Sequence, residues 1–386
     1  MKIKKMKPRF VKIVLLTACL FLMTAILGRE PIAEDQRGYL AVSGPCHQTF
    51  PEDHGAHPGY RIEWWYYTGN LLAESGERYG FQLTFFRNQI SPSDAVQDWP
   101  RTSSAWRTQQ IFAGHAAVSD LDKKSHRYAE QMARQALGMA GVAQQASETT
   151  VFIGDWSATI GASSHSLKAR TADFAFDLKL QPAKPPVLHG QEGYSRKGST
   201  ADRASCYYSL TRLITKGMLK IDGKSVSVEG LSWMDHEYST ASLEASIIGW
   251  DWFSLQLSDQ TEIMLYLLRD QNGQANPASS GTFIDRSGVS RHLTAEDFSV
   301  TALDRWKSPR SGAVYPVAWR LNIAPLAIEL NVAADLNDQE MVTTASTGVI
   351  YWEGSVAASG TAAKRPVKAN GYAELTGYAE ALRDPL

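Results

Sequence analysis

Beyond residue 60 the chain is punctuated. β-Prone runs rich in Trp, Tyr, Phe, Val and Ile recur about every 8–15 residues, with Gly, Asn, Asp and Ser between them. Short strands in such number hide their edges by closing on themselves, so the pattern points to barrels or sandwiches. Strands are expected at 61–70 and 79–87, a hairpin around Glu74-Ser75-Gly76-Glu77. More follow at 110–120, 151–160, 167–172, 174–181, 206–214, 216–221 and 224–233. The second half repeats the theme at 250–257, 262–269, 281–284, 298–303, 318–323, 327–333, 347–354 and 371–377. One helix is expected at 128–138, where Met132, Ala136 and Leu137 fall at helical spacing before Gly138 and Gly141. Residues 182–204 carry three prolines, then Gly, Ser and charge, and read as a mobile flap or a surface excursion.

A length of 386 residues is enough for two cores. An internal echo supports that division. WWYYTGNLL, a turn and YGFQLTFFR in the first half answer WDWFSLQLS, a turn and TEIMLYLLR in the second, ending in Arg87 and Arg269. The expected fold is all-β: two consecutive antiparallel β-barrels with few short helices. The expected organisation is a leader or anchor at 1–28, an arm at 29–58, and barrel domains at 59–225 and 226–386.

The amino terminus reads as an export signal. Lys2, Lys4, Lys5, Lys7, Arg9 and Lys12 precede an uncharged, mostly apolar run at 13–28. An uncleaved anchor, or lipidation at Cys19 in Leu16-Thr17-Ala18-Cys19, is the competing reading and would associate the protein with a membrane. Either way the expected location is the periplasm or envelope. Removing the leader takes six cations and no acids, so the formal charge moves from −1 to −7. That balance offers no basic footprint for nucleic acid. Cys46 and Cys206 then remain, either as a disulfide or as two buried thiols.

Two stretches place acids among aromatics. In Glu63-Trp64-Trp65-Tyr66-Tyr67, strand alternation puts Glu63, Trp65 and Tyr67 on one face. In Trp250-Asp251-Trp252-Phe253, Asp251 and Phe253 face opposite to Trp250 and Trp252. The plain alternative is a structural carboxylate held by a buried arginine, as Glu63 with Arg87. A third segment, Trp233-Met234-Asp235-His236-Glu237-Tyr238, ends a strand, and alternation there points Asp235 and Glu237 together and His236 away. Acids against indoles suit a cavity that holds an apolar ligand and moves a proton. H-E-x-x-H, paired C-x-x-C and G-x-S-x-G are missing from the chain. A metal site gathered from His115, His189, His236 and carboxylates is the competing sharp idea.

Taken together, EWWYYTGNL, YGFQLTFFR, GHAAVSD, SWMDHEYS, GWDWFSLQL, GVIYWEG and NGYAELTGY resemble the AttH-like, lipocalin-like exported proteins. The carotenoid 1,2-hydratases belong to that group. The resemblance runs from about residue 59 to 377 and implies two consecutive lipocalin-like barrels. Among relatives it implies hydratases of isoprenoid double bonds, a hydratase of a phytoalexin, and cyclases of polyketide-type chains. Carried over through W-x-D-H-E and G-W-D-W, it implies acid chemistry at Asp235, His236, Glu237 and Asp251. The expected ligand wall is Glu63, Trp65, Tyr67, Trp233, Tyr238, Trp250, Trp252 and Tyr266. The implied activity is a hydro-lyase that uses no cofactor and no metal, on an apolar small molecule. Asp235 or Asp251 would donate the proton, and His236 or Glu237 would activate water. A carrier of lipids or lipophilic molecules without catalysis, and a cyclase, are the alternatives. Tyr238 is a departure, since many relatives carry tryptophan there.

Overall fold

The computed structural model describes residues 35, 37–92, 94–95, 99–100, 104–145 and 147–382. The expected leader and Cys19 lie outside the described residues. Thirteen strands make the first sheet. They are β1 (Ile62–Ala73), β2 (Arg78–Gln89), β3 (Gln110–Asp120), β4 (Ser125–Arg134), β5 (Ala140–Gln145), β6 (Glu148–Ile153) and β7 (Trp156–Gly161). Then come β8 (His165–Arg170), β9 (Phe174–Pro182), β10 (Val187–Leu188), β11 (Tyr194–Arg196), β12 (Ala204–Ile221) and β13 (Lys224–Ser239). Ten strands make the second. They are β14 (Ile247–Leu257), β15 (Glu262–Asp270), β16 (Ser280–Ile284), β17 (Ser290–Thr294) and β18 (Phe298–Lys307). The rest are β19 (Val314–Ile323), β20 (Ile328–Ala334), β21 (Glu340–Thr343), β22 (Val349–Ala362) and β23 (Arg365–Leu375).

Both sheets are antiparallel meanders bent into lipocalin-like barrels. In each the first strand pairs with the last, β1 with β13 and β14 with β23. The two free ends of each sheet are neighbours in sequence, β4 with β5 and β17 with β18, so short connections hold the edges together. Period-2 alternation then fills both interiors. Trp65, Tyr67, Phe81, Phe85, Trp156 and Met234 pack the first, and Phe253, Leu255, Trp319, Leu321 and Trp352 pack the second. A third cluster, with Tyr66, Tyr207, Trp233, Trp252 and Tyr266, lies on the outward faces where the barrels meet.

Several sequence expectations are corrected by the pairing. Residues 125–134 form β4 on the edge of β3 instead of a helix, because the ladder to β3 satisfies their backbone and outweighs weak helical propensity. The run at 151–160 breaks at Gly154, whose φ is +57°. The two runs at 206–214 and 216–221 are one strand, β12, with an irregularity between Leu210 and Leu213. The expected division at 225/226 falls inside the β12–β13 hairpin, turned by Asp222 and Gly223 at φ +51° and +75°. Because β13 pairs along its length with β1, the change of sheet comes later, between Ser239 and Ile247.

Cys46 and Cys206 are joined, with Cα atoms 5.8 Å apart. The bond ties the arm to β12, where Tyr208 also hydrogen-bonds His54 Nδ1 at 2.6 Å.

Candidate active site between the barrels

A cavity of about 680 Å³ opens where the two outward faces meet. Alternation along β13 decides what enters it. Asp235 and Glu237 point into the wall with Trp64, Tyr66 and Phe86 of β1 and β2. From β14 and β15 come Trp250, Trp252 and Tyr266, and from β23 comes Glu374. The cross-strand pairs Tyr66–Asp235 and Trp252–Glu374 occupy the same place in the two barrels, each linking a first strand to a last. Glu374 is therefore the second half's counterpart of Asp235.

Asp235 is held by three donors. Trp233 Nε1 donates to Oδ1 at 2.6 Å, Tyr207 Oη donates to Oδ2 at 2.8 Å, and the Ser209 hydroxyl donates to Oδ1. Burial is the largest influence and pushes its pKa up to about 7, against these three hydrogen bonds. Burial also lifts Glu374 above the usual carboxylate range, and the nearby charges of Asp235 and Glu237 add to the effect. Behind it, Glu353 of β22 is its cross-strand partner and is raised by burial and by Glu374. Glu237 is paired with Lys197, whose Nζ lies 3.1 Å from Oε1 and 4.0 Å above the Tyr266 ring.

A profile of the AttH-like family matches residues 41–378. The chain belongs to the AttH-like family. A crystal structure of a candidate AttH from Nitrosomonas europaea is similar at 33% identity and a TM-score of 0.77, over 88% of this chain and all of that one. Kievitone hydratase from Nectria haematococca shares the fold at 14% identity and a TM-score of 0.64, over 91% and 99% of the two chains. CghA, solved with Sch210972, shares it at 10% and 0.51, over 89% and 97%. No curated protein matches the chain.

Of the twelve residues singled out in sequence, this AttH-like protein brings Asp235, Glu237, Trp250, Trp252 and Tyr266 to the cavity, while Glu63 borders it but turns its carboxylate away to His236 and Arg87. Trp233 packs between the barrels and reaches it through its bond to Asp235. Trp65, Tyr67 and His236 turn into the first barrel instead. His236 spends both ring nitrogens there, Nε2 on Glu63 Oε1 at 2.8 Å and Nδ1 on Tyr208 Oη at 3.0 Å. Tyr238 stacks on His57, with ring centroids 3.7 Å apart. Asp251 closes the end of the second barrel, 2.7 Å from Arg269 Nε and within hydrogen-bond reach of Tyr378. The plain readings of Glu63 and Asp251 thus match the geometry: each holds a buried arginine.

His57, Glu63 and His236 bring three donor atoms within 4.8 Å of one another, a set that could ligate a metal. The fit is poor. Arg87 Nε sits 2.6 Å from Glu63 Oε2, so a dication would compete with a guanidinium. The charge of Arg87 and hydrogen bonds from His236 and His57 outweigh burial and hold Glu63 ionised. His115, His189 and His236 lie in separate hydrogen-bond networks.

Arg87→Leu is expected to cost about 3–5 kcal/mol of folding stability, because it strands a buried carboxylate. Denaturant titration measures this, and adding Glu63→Leu should recover much of it. A single-variant loss below about 1 kcal/mol would contradict the pairing.

Other contributors were not singled out in sequence, among them Lys197, Tyr207 and Glu374. Lys197 arrives on the 182–204 segment, which folds down onto β12 through β10 and β11. Tyr207 lies on β12 opposite Glu237. Glu374 sits in NGYAELTGY, and following the internal echo to the last strand of each barrel would have pointed to it.

Proposed function

We propose that this protein is a cofactor-free hydro-lyase that adds water to a carbon–carbon double bond of an apolar, isoprenoid-like molecule. The observation that carries the reading is the pair of buried acids, Asp235 and Glu374, on one aromatic-walled cavity. Kievitone hydratase, a protein of the same fold, bears a hydratase's name. A carboxyl kept neutral by its surroundings can protonate an alkene. Glu374, flanked by other acids, fills that role. The proton goes to one alkene carbon, and the π faces of Trp250, Trp252 and Tyr66 stabilise the positive charge left on the other, by about 0.5–2 kcal/mol each. Water bonds to that carbon and gives its proton to Asp235, whose three hydrogen bonds favour the charged form that accepts it. One proton leaves Glu374 and one arrives on Asp235.

The basic leader and the Cys46–Cys206 bond support an exported, envelope location, since disulfides persist in oxidising compartments. Membrane association would come through the uncleaved leader or Cys19. The test supplies purified protein with acyclic carotenoids and shorter prenyl alkenes in heavy-oxygen water. Products carrying the label are expected. Ligand recovered bound but unchanged would replace the hydratase with a carrier.

A further inference from the structure

A chain of hydrogen bonds runs from the protein surface to Tyr351 at the cavity wall, crossing from one barrel to the other. Glu130, on the edge strand β4, is partly exposed. Its Oε2 accepts from Ser346 Oγ at 2.5 Å. Ser346 Oγ lies 2.9 Å from His115 Nε2, and His115 Nδ1 lies 2.8 Å from Tyr351 Oη. Tyr351 and Glu353 stand at alternate positions on one face of β22, and Glu353 is the cross-strand partner of Glu374. His115, Tyr351 and Ser346 are almost wholly buried. Glu130 and His115 belong to the first barrel, Ser346, Tyr351, Glu353 and Glu374 to the second.

The chemistry above leaves Glu374 one proton short after each turnover and Asp235 with one in excess, which Asp235 gives to water as the product leaves the cavity. With an apolar ligand filling the cavity, bulk water does not reach Glu374 freely. We propose that Glu130, Ser346, His115 and Tyr351 form a proton relay that returns a proton from solvent to the Glu353–Glu374 pair. Each member can take part, because each both accepts and gives a hydrogen. A proton taken up by Glu130 reverses its bond to Ser346, so that the carboxyl donates and the freed Ser346 hydroxyl turns its hydrogen to Nε2 of His115. The other ring nitrogen releases its hydrogen to Tyr351 Oη, which passes one to Glu353 and so to Glu374. One proton enters, one appears on Glu374, and rotation of the hydroxyls and the ring resets the chain. Burial keeps the His115 imidazole neutral, with its pKa near 3, so one nitrogen is free to accept while the other donates.

The relay rests on the proposed reaction for its purpose, but its test does not require turnover. Infrared spectroscopy of the full chain after a rapid pH change can follow the protonated-carboxyl band, assigned by its loss in Glu353→Gln and Glu374→Gln. Ser346→Ala and His115→Phe are expected to slow the return of that band at least 10-fold, with added imidazole restoring part of the rate in His115→Phe. A mere hydrogen-bond staple between the barrels would lower the unfolding midpoint and leave the rate alone. Unchanged rates in Ser346→Ala, the smaller alteration, would overturn the relay. Labelled product with unchanged rates would leave the hydratase and sink the relay. Slowed rates with no labelled product would do the reverse.

Discussion

Asp235→Asn is expected to lower turnover by about 10²–10⁴-fold, the usual range for removing a positioned acid or base, while making the protein more stable at neutral pH. The two effects have one origin. In the unfolded chain this carboxyl ionises near 3.8, and in the folded protein near 7. A folded value above the unfolded one favours folding fully only below the unfolded pKa, and the benefit is lost as pH rises toward 7. Asparagine does not ionise, so the variant escapes that loss. Its advantage in unfolding midpoint should grow from about pH 4 to pH 7 and then level off. The three hydrogen bonds at this side chain can be kept, because the amide oxygen still accepts from Trp233 and Ser209 while the Tyr207 hydroxyl rotates to accept from the new amide N–H. Activity should also fall in the wild type as pH drops below about 7 and Asp235 gains its proton. Glu374→Gln should be equally damaging, with the basic limb of the profile lost. Full activity in both variants would remove the acid–base scheme.

Reducing the Cys46–Cys206 bond, or replacing Cys206 with serine, is expected to cost about 5 kcal/mol in the chain-entropy model. The two cysteines are 160 residues apart, so the bond closes a very long loop in the unfolded chain. The arm it secures also carries His54 and His57 into the network around Glu63. Denaturant titrations with and without reductant measure the difference. A change below about 1 kcal/mol would mean that those polar contacts hold the arm unaided.

Much of the architecture was legible because strand alternation is local. Residues 61–70 and 79–87 announce a hairpin through composition and turn chemistry alone, and the echo at 250–269 announces a second barrel. Alternation also separated Asp235 and Glu237 from His236 correctly. The helix expected at 128–138 failed because its spacing suits either helix or strand, and only the waiting edge of β3 chooses. The 182–204 segment failed for a related reason. Its prolines say that it is irregular, but not that it lies back across β12 and delivers Lys197 to Glu237.

Sequence alone therefore determined the class of fold, the doubling and the face on which each acid of the 233–238 strand lies, since all three follow from a two-residue period and a repeat. The tertiary structure decided where the cavity is. The hollow lies between the barrels, where their outward faces meet. The tertiary structure also decided that Asp251 serves Arg269 while Glu374 faces Asp235. Those assignments depend on how two closed surfaces dock across residues far apart in the chain, and no local pattern encodes that angle.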